Sequence, residues 1–227
     1  FTAFGMFLLS FMLVPLFGGI FFVVPVPLIT LALIIAHYGN CIEELGPVQC
    51  NEVPRPLRFA GFSEDIWWPF TRMMVAVMLT ILPSILFTVH TSGGVRFVGF
   101  FTLLVVGLAF FPAVVLITCT SGAYRNLRPD RLMGTMTAMG GGTYVLAVLI
   151  CAAAVVLNLM AIGAVVISTG VFLTAKSGLE LGLAAIICLG LVSIAVYMAH
   201  LACWWLAVLY RHNHDQFPWF FEEHERQ

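Results

Sequence analysis

Long stretches of apolar residues, separated by short charged segments, dominate the pattern along this chain. No Asp, Glu, Lys or Arg occurs in five such stretches: 1–42, 73–95, 97–124, 132–175 and 181–210. A helix needs about 20 mainly apolar residues to cross the hydrocarbon core of a bilayer. In lipid, moreover, every backbone N–H and C=O must be paired within the protein. The pattern therefore predicts four membrane-spanning helices, over residues 72–90, 96–118, 143–173 and 181–210.

A helical bundle is favoured over a membrane β-barrel. Barrel strands alternate apolar and polar residues over about ten positions, whereas residues 145–159 are almost continuously apolar. We therefore expect an all-α, polytopic transmembrane bundle that forms a single domain.

The N-terminal apolar run, residues 1–38, is interrupted by Pro15, Gly18, Gly19 and two further prolines. Proline kinks a helix and removes a hydrogen-bond donor, and glycine weakens a helix. We favour a broken hairpin that turns near Gly18 and Gly19, with one kinked span ending near His37 as the alternative. The run continues apolar for too long to be a signal peptide, so we interpret it as mature, membrane-embedded sequence.

Composition supports a lipid environment. Hydrophobic residues make up 61% of the 227 residues and charged residues 9%, whereas soluble domains carry about 25% charged residues. So few charges cannot cover a water-soluble body of this size. The formal net charge of −1 provides no basic surface for nucleic acid, so the expected partners are the bilayer and other membrane proteins or a second copy.

Basic residues predict the orientation, because Lys and Arg are concentrated in cytoplasmic loops. The segment 43–72 and the loop 125–131 hold three arginines each, and the tail 211–227 holds two; the intervening loops hold only Arg96 and Lys176. We therefore expect the loop 43–71 and the tail 211–227 to lie in the cytoplasm. A bacterial inner membrane is the predicted location.

Two histidines in apolar surroundings are candidate cofactor ligands. His200 lies within the uncharged run 181–210, and an ionisable residue inside a membrane span is a functional hypothesis by default. Haem usually needs a second axial ligand, and His37 is the partner expected at a similar depth. The alternative is structural: a neutral histidine that forms a hydrogen bond to a neighbouring helix.

The C-terminal tail contains a second set of candidate metal ligands, His212, His214 and His224. Imidazoles are common ligands of zinc and copper, but the spacing of these three is not diagnostic. The alternative is a solvated tail whose Phe217 and Trp219 dip into the lipid headgroups.

The cysteines show no metal-binding spacing. Cys41 and Cys50 flank the acidic loop, and in the cytoplasm they should be reduced thiols. The other four, Cys119, Cys151, Cys188 and Cys203, lie in or beside spans, where they are expected to pack as small apolar residues.

Several short motifs resemble an uncharacterised family of bacterial multi-pass inner-membrane proteins, themselves loosely similar to Yip-type proteins. They are an acidic, proline-bearing loop at 43–56, Trp-Trp-Pro-Phe at 67–70, Phe-Pro at 111–112 with Asn-Leu-Arg-Pro at 126–129, and Tyr-Arg-His at 210–212 with Phe-Pro-Trp at 217–219. The resemblance implies a membrane protein without established chemistry, and it supplies no catalytic residues.

No motif in the sequence predicts catalysis. The chain contains no Walker loop, no HExxH motif and no GxSxG motif. Our leading hypothesis is a non-enzymatic scaffold or accessory subunit, without a cofactor, that acts by helix–helix contact with other membrane proteins. One alternative is a small transporter or channel with broken helices near Gly18 and Gly140. The other is a haem- or metal-binding redox subunit.

Overall fold

The computed structural model describes residues 25–45, 61–121, 123–174 and 177–219. These residues form helices and short connections, which confirms the predicted all-α class. The helices are α1 (Pro25–Leu45), α2 (Trp68–His90), α3 (Gly93–Thr120), α4 (Pro129–Ala138), α5 (Gly141–Thr174) and α6 (Gly178–Asn213). The predicted hairpin turn at Gly18 and Gly19 lies outside the described residues.

Four of the described helical segments are long and apolar enough to cross a membrane: Ser63–His90, Gly93–Thr120, Gly141–Val165 and Gly178–Gln216. They match the four predicted spans, so the chain has the character of a multi-pass membrane protein. The last helix extends beyond the predicted span at both ends. Its 36 residues correspond to about 54 Å at 1.5 Å per residue, which exceeds the hydrocarbon core of about 30 Å.

The second helical segment begins earlier than its charge pattern predicted. One π-helical turn at Ser63–Trp67 leads directly into α2, so the segment starts at Ser63 and not at residue 72. Glu64 and Asp65 lie in this first turn, where negative charge is favourable beside the positive end of the helix dipole. The expected loop 43–71 is therefore helical at both of its ends, because α1 also continues to Leu45.

The bundle is held together by a buried core on the side of the loop between α3 and α4. Helix α1 packs against α2 and α6, α2 packs against α3, and α5 packs against α6. The core contains residues from all of these helices, among them Ile42, Leu116 and Leu206. This arrangement places one face of α1 in contact with α6, and that contact positions the candidate site.

Residues 217–219, which follow α6, are not placed as the sequence predicted. Phe217 and Trp219 are each only 1% exposed, and their rings contact the ring of Tyr210. Trp219 Nε1 donates a hydrogen bond to the Tyr210 hydroxyl at 3.3 Å, and Arg131 donates one to the Pro218 carbonyl at 3.2 Å. These two aromatic residues are therefore packed inside the protein and do not dip into lipid headgroups, because the fold supplies apolar surface between α4 and α6.

Candidate metal site

Three metal-ligating side chains meet between α1 and α6. They are His37 and Cys41 on α1 and His200 on α6, and one donor atom from each lies within 4.8 Å of the other two. No other set of three histidine, cysteine or acidic side chains comes this close within the described part of the chain.

The helical repeat brings the first two donors together. His37 and Cys41 are four residues apart, so they lie on the same face of α1, one turn from each other. The Cys41 Sγ atom is 3.5 Å from His37 Nε2 and 4.0 Å from Nδ1. The thiol and the imidazole are therefore already in contact, and the thiol is 1% exposed.

The third donor comes from the facing helix. The rings of His37 and His200 are nearly parallel, with an angle of 13° between their planes and 5.8 Å between their centroids. Cys41 packs against Ala207, two helical turns after His200 on the same face of α6. The small side chain of Ala207 lets α1 approach α6 closely.

Tyr38 links the two helices beside the donors. Its hydroxyl donates a hydrogen bond of 3.0 Å to the carbonyl oxygen of Val196. That carbonyl is four residues before His200, so it is also the acceptor of the helical N–H of His200. The Tyr38 ring also contacts both imidazoles, with centroid distances of 6.1 and 6.4 Å. Tyr38 thus holds the backbone of α6 in place at the turn that carries His200.

The opposite side of α1 is anchored to α2. Gly39 lies so close to Pro69 that a β-carbon at position 39 would be 2.9 Å from the Pro69 carbonyl oxygen. The next residue, Asn40, is fully buried, and its amide donates a hydrogen bond of 2.9 Å to the Asp65 carbonyl. Pro69, four residues after Asp65, has no N–H for that carbonyl, so Asn40 supplies the missing donor.

An ion pair completes this contact near the end of α1. The Arg72 guanidinium donates a hydrogen bond of 2.9 Å to the carboxylate of Glu43. Helix α1 is therefore held on one face by α2 and on the other by α6, to which Tyr38 is hydrogen-bonded. The two donors of α1 have little freedom to move away from His200.

The geometry fits a small transition-metal ion. With metal–nitrogen bonds of about 2.0 Å and metal–sulfur bonds of about 2.3 Å, donors arranged around one ion would be roughly 3.5 Å apart. Cys41 Sγ and His37 Nε2 already have this separation, and the other donor pairs, which lie within 4.8 Å, need to close by roughly 1.3 Å at most. Thiolate and imidazole are the donors that copper and zinc prefer, whereas calcium and magnesium prefer oxygen.

A haem fits less well than an ion. A haem held between His37 and His200 would need a flat space between the two rings for its macrocycle. The sulfur of Cys41 lies within 4.8 Å of a nitrogen of each histidine, which places it inside the outline of such a macrocycle. The same sulfur would instead be a ligand to a single ion.

The tail histidines His212 and His214 are not brought to this site. His214 is exposed, with its Nδ1 3.3 Å from the Arg211 carbonyl, and His212 is also exposed. His224 and Cys50 lie outside the described residues. A metal site in the tail stays a prediction.

Sequence reasoning named both histidines as possible ligands and missed Cys41 as their partner. The signal that could have found it is the His-x-x-x-Cys spacing, which puts both side chains on one helix face.

Comparisons of the chain with protein-family models, with curated proteins and with solved structures found no match. The resemblance to a bacterial inner-membrane family therefore stays a prediction, and the site is argued from its geometry alone.

Proposed function

We propose that this chain is an integral membrane protein that binds a transition-metal ion between α1 and α6, through His37, Cys41 and His200. The observation that carries the proposal is the convergence of three soft or borderline donors from two helices within 4.8 Å. In a bundle whose spans hold almost no charge, such a cluster is the most chemically specific feature of the described structure.

The site is expected to load from the cytoplasm. Cys41 lies one turn before the end of α1 at Leu45, on the side of the bundle that carries Glu43 and Arg72. The positive-inside rule assigns that side to the cytoplasm, together with the C-terminus, as in a bacterial inner membrane. In the cytoplasm thiols are kept reduced, so Cys41 would be available as a ligand.

The other functional hypotheses stay predictions. A scaffold or accessory subunit is compatible with a bound metal, because such a subunit can contribute its ion to a larger membrane assembly. A transporter is compatible as well. The backbone break at Gly140, where φ is +75°, separates α4 from α5, but it lies outside the three-donor site.

The test is the metal content of the detergent-purified protein after anaerobic incubation with Cu(I) or Zn(II) and removal of free ions. We expect about one tightly held ion per chain, and loss of that ion in Cys41→Ser and His200→Gln. Cys188→Ser is the matched control. Cys188 lies in α6 and, like Cys41, is a buried thiol, but it belongs to a separate apolar cluster.

Size-exclusion profiles and helical circular dichroism would show that each variant is folded. If folded Cys41→Ser and His200→Gln retained the same ion content as the native chain, the proposed site would be wrong. Equal loss in Cys188→Ser would also contradict it, because the metal would then follow thiol content and not this geometry.

A further inference from the structure

We infer that the ion held at this site is monovalent copper. The inference rests on the proposed function and names the ion that the site selects. It is argued from the charge of the donor set, from the number of donors and from the surroundings of α6.

Charge is the first argument. A metal-bound cysteine is a thiolate with one negative charge, and metal-bound histidines are neutral. With Cu(I) the complex of His37, Cys41 and His200 is therefore neutral, whereas with Zn(II) it carries one positive charge. An uncompensated charge in apolar surroundings costs much more than a neutral group.

Among the described residues, the helix that faces α1 supplies no acidic side chain beside the donors. Helix α6 contains no Asp or Glu between Leu181 and Tyr210, and no carboxylate belongs to the three-donor cluster. The acids that follow on α1 are Glu43, whose carboxylate is paired with Arg72, and Glu44, which is partly buried and has an interaction of its own. Within the donor set itself, a divalent ion would thus keep one positive charge that the ligands do not neutralise, whereas a monovalent ion would be neutralised.

The number of donors points the same way. Zn(II) in protein sites is almost always four-coordinate, with a fourth protein ligand or a water. The described residues supply three donors here, and two imidazoles with one thiolate form a trigonal set typical of copper.

The test exchanges one donor so that the charge balance is inverted. His200→Cys replaces a neutral ligand with a second thiolate, so the Zn(II) complex becomes neutral and the Cu(I) complex becomes negative. Affinities for Cu(I) and Zn(II) would be measured anaerobically by competition with chelators of known affinity, on the intact chain in detergent. His90→Cys, on an exposed residue far along α2, is the control that adds a thiol elsewhere.

For the native chain we expect one Cu(I) per chain and Zn(II) binding at least about 100-fold weaker, as an uncompensated buried charge implies. In His200→Cys we expect the Zn(II) affinity to rise by at least about tenfold, with no such rise in His90→Cys.

The possible failures are distinguishable. Native protein that binds Zn(II) as tightly as Cu(I), or a folded His200→Cys without the rise in Zn(II) affinity, would overturn the copper assignment and leave the metal site standing. Native protein that binds neither ion would overturn the proposed function itself.

Discussion

Removal of the Tyr38 hydroxyl tests whether contact between α1 and α6 organises the site. In Tyr38→Phe the ring remains against both imidazoles, while the 3.0 Å hydrogen bond to the Val196 carbonyl is lost. That carbonyl keeps its helical bond from the N–H of His200, so no buried acceptor is left without a partner. The change therefore isolates the link between the helices.

The expected magnitude follows from this bond. Hydrogen bonds between helices in membrane proteins contribute about 0.6 kcal/mol on average, and buried hydrogen bonds in general up to about 1.5 kcal/mol. If the bond holds His200 in position for the ion, its loss should weaken metal binding by about three- to tenfold, since 1.4 kcal/mol corresponds to a factor of ten.

The assay is a competition titration of the metal against a chelator, with native protein and variants in the same detergent. Tyr197→Phe is the matched control, because Tyr197 lies on α6, the helix that carries His200, and is 66% exposed. The metal affinity of this variant should match the native value. An unchanged affinity in Tyr38→Phe, or an equal loss in Tyr197→Phe, would refute the reasoning that Tyr38 positions the site.

Two further substitutions test the packing that supports α1 and the bundle. Asn40→Leu leaves the carbonyl of Asp65 without its 2.9 Å donor, so the free energy of unfolding should fall by about 1–3 kcal/mol, measured by thermal unfolding in detergent; an unchanged unfolding temperature would contradict this. Gly107→Ala adds a β-carbon that would overlap the Thr80 carbonyl oxygen, so α2 and α3 must separate at a cost of about 1–3 kcal/mol. Gly163→Ala, where no atom lies within 4 Å of the added carbon, should be neutral or stabilising, and equal effects of the two glycine changes would argue against the close contact.

Much of the fold could be predicted from the distribution of charge. The uncharged runs predicted the four spans because lipid excludes charges and unpaired backbone groups over a fixed thickness. The ends of the helices were harder to predict. The start at Ser63 depends on acidic residues that stabilise a helix end and on the donor that Asn40 supplies from another helix.

The burial of Phe217 and Trp219 after α6 was also difficult to predict from the sequence. A Phe217 and a Trp219 beside a membrane span are as compatible with an interface anchor as with a buried contact. Their burial depends on the surface that α4 and α6 create together, and no local pattern in the tail encodes that surface.

The site could be predicted only in part. The two histidines were conspicuous because an imidazole is rare in a long apolar helix, but a single cysteine in such a helix is usually a small apolar residue. The role of Cys41 as a ligand depends on the packing of α1 against α6. This contact joins residues that are far apart in the sequence, since Tyr38 and Val196 are separated by 158 positions. Local spacing alone does not determine such a contact.

X-ray absorption spectroscopy of the copper-loaded, detergent-purified protein tests the central claim most directly, because it counts the donors around the ion by element. We predict one sulfur at about 2.3 Å and two imidazole nitrogens at about 2.0 Å, with the sulfur lost in Cys41→Ser and one nitrogen lost in His200→Gln. Copper bound only by oxygen, or by several sulfurs, would contradict a site in which His37, Cys41 and His200 hold the ion together.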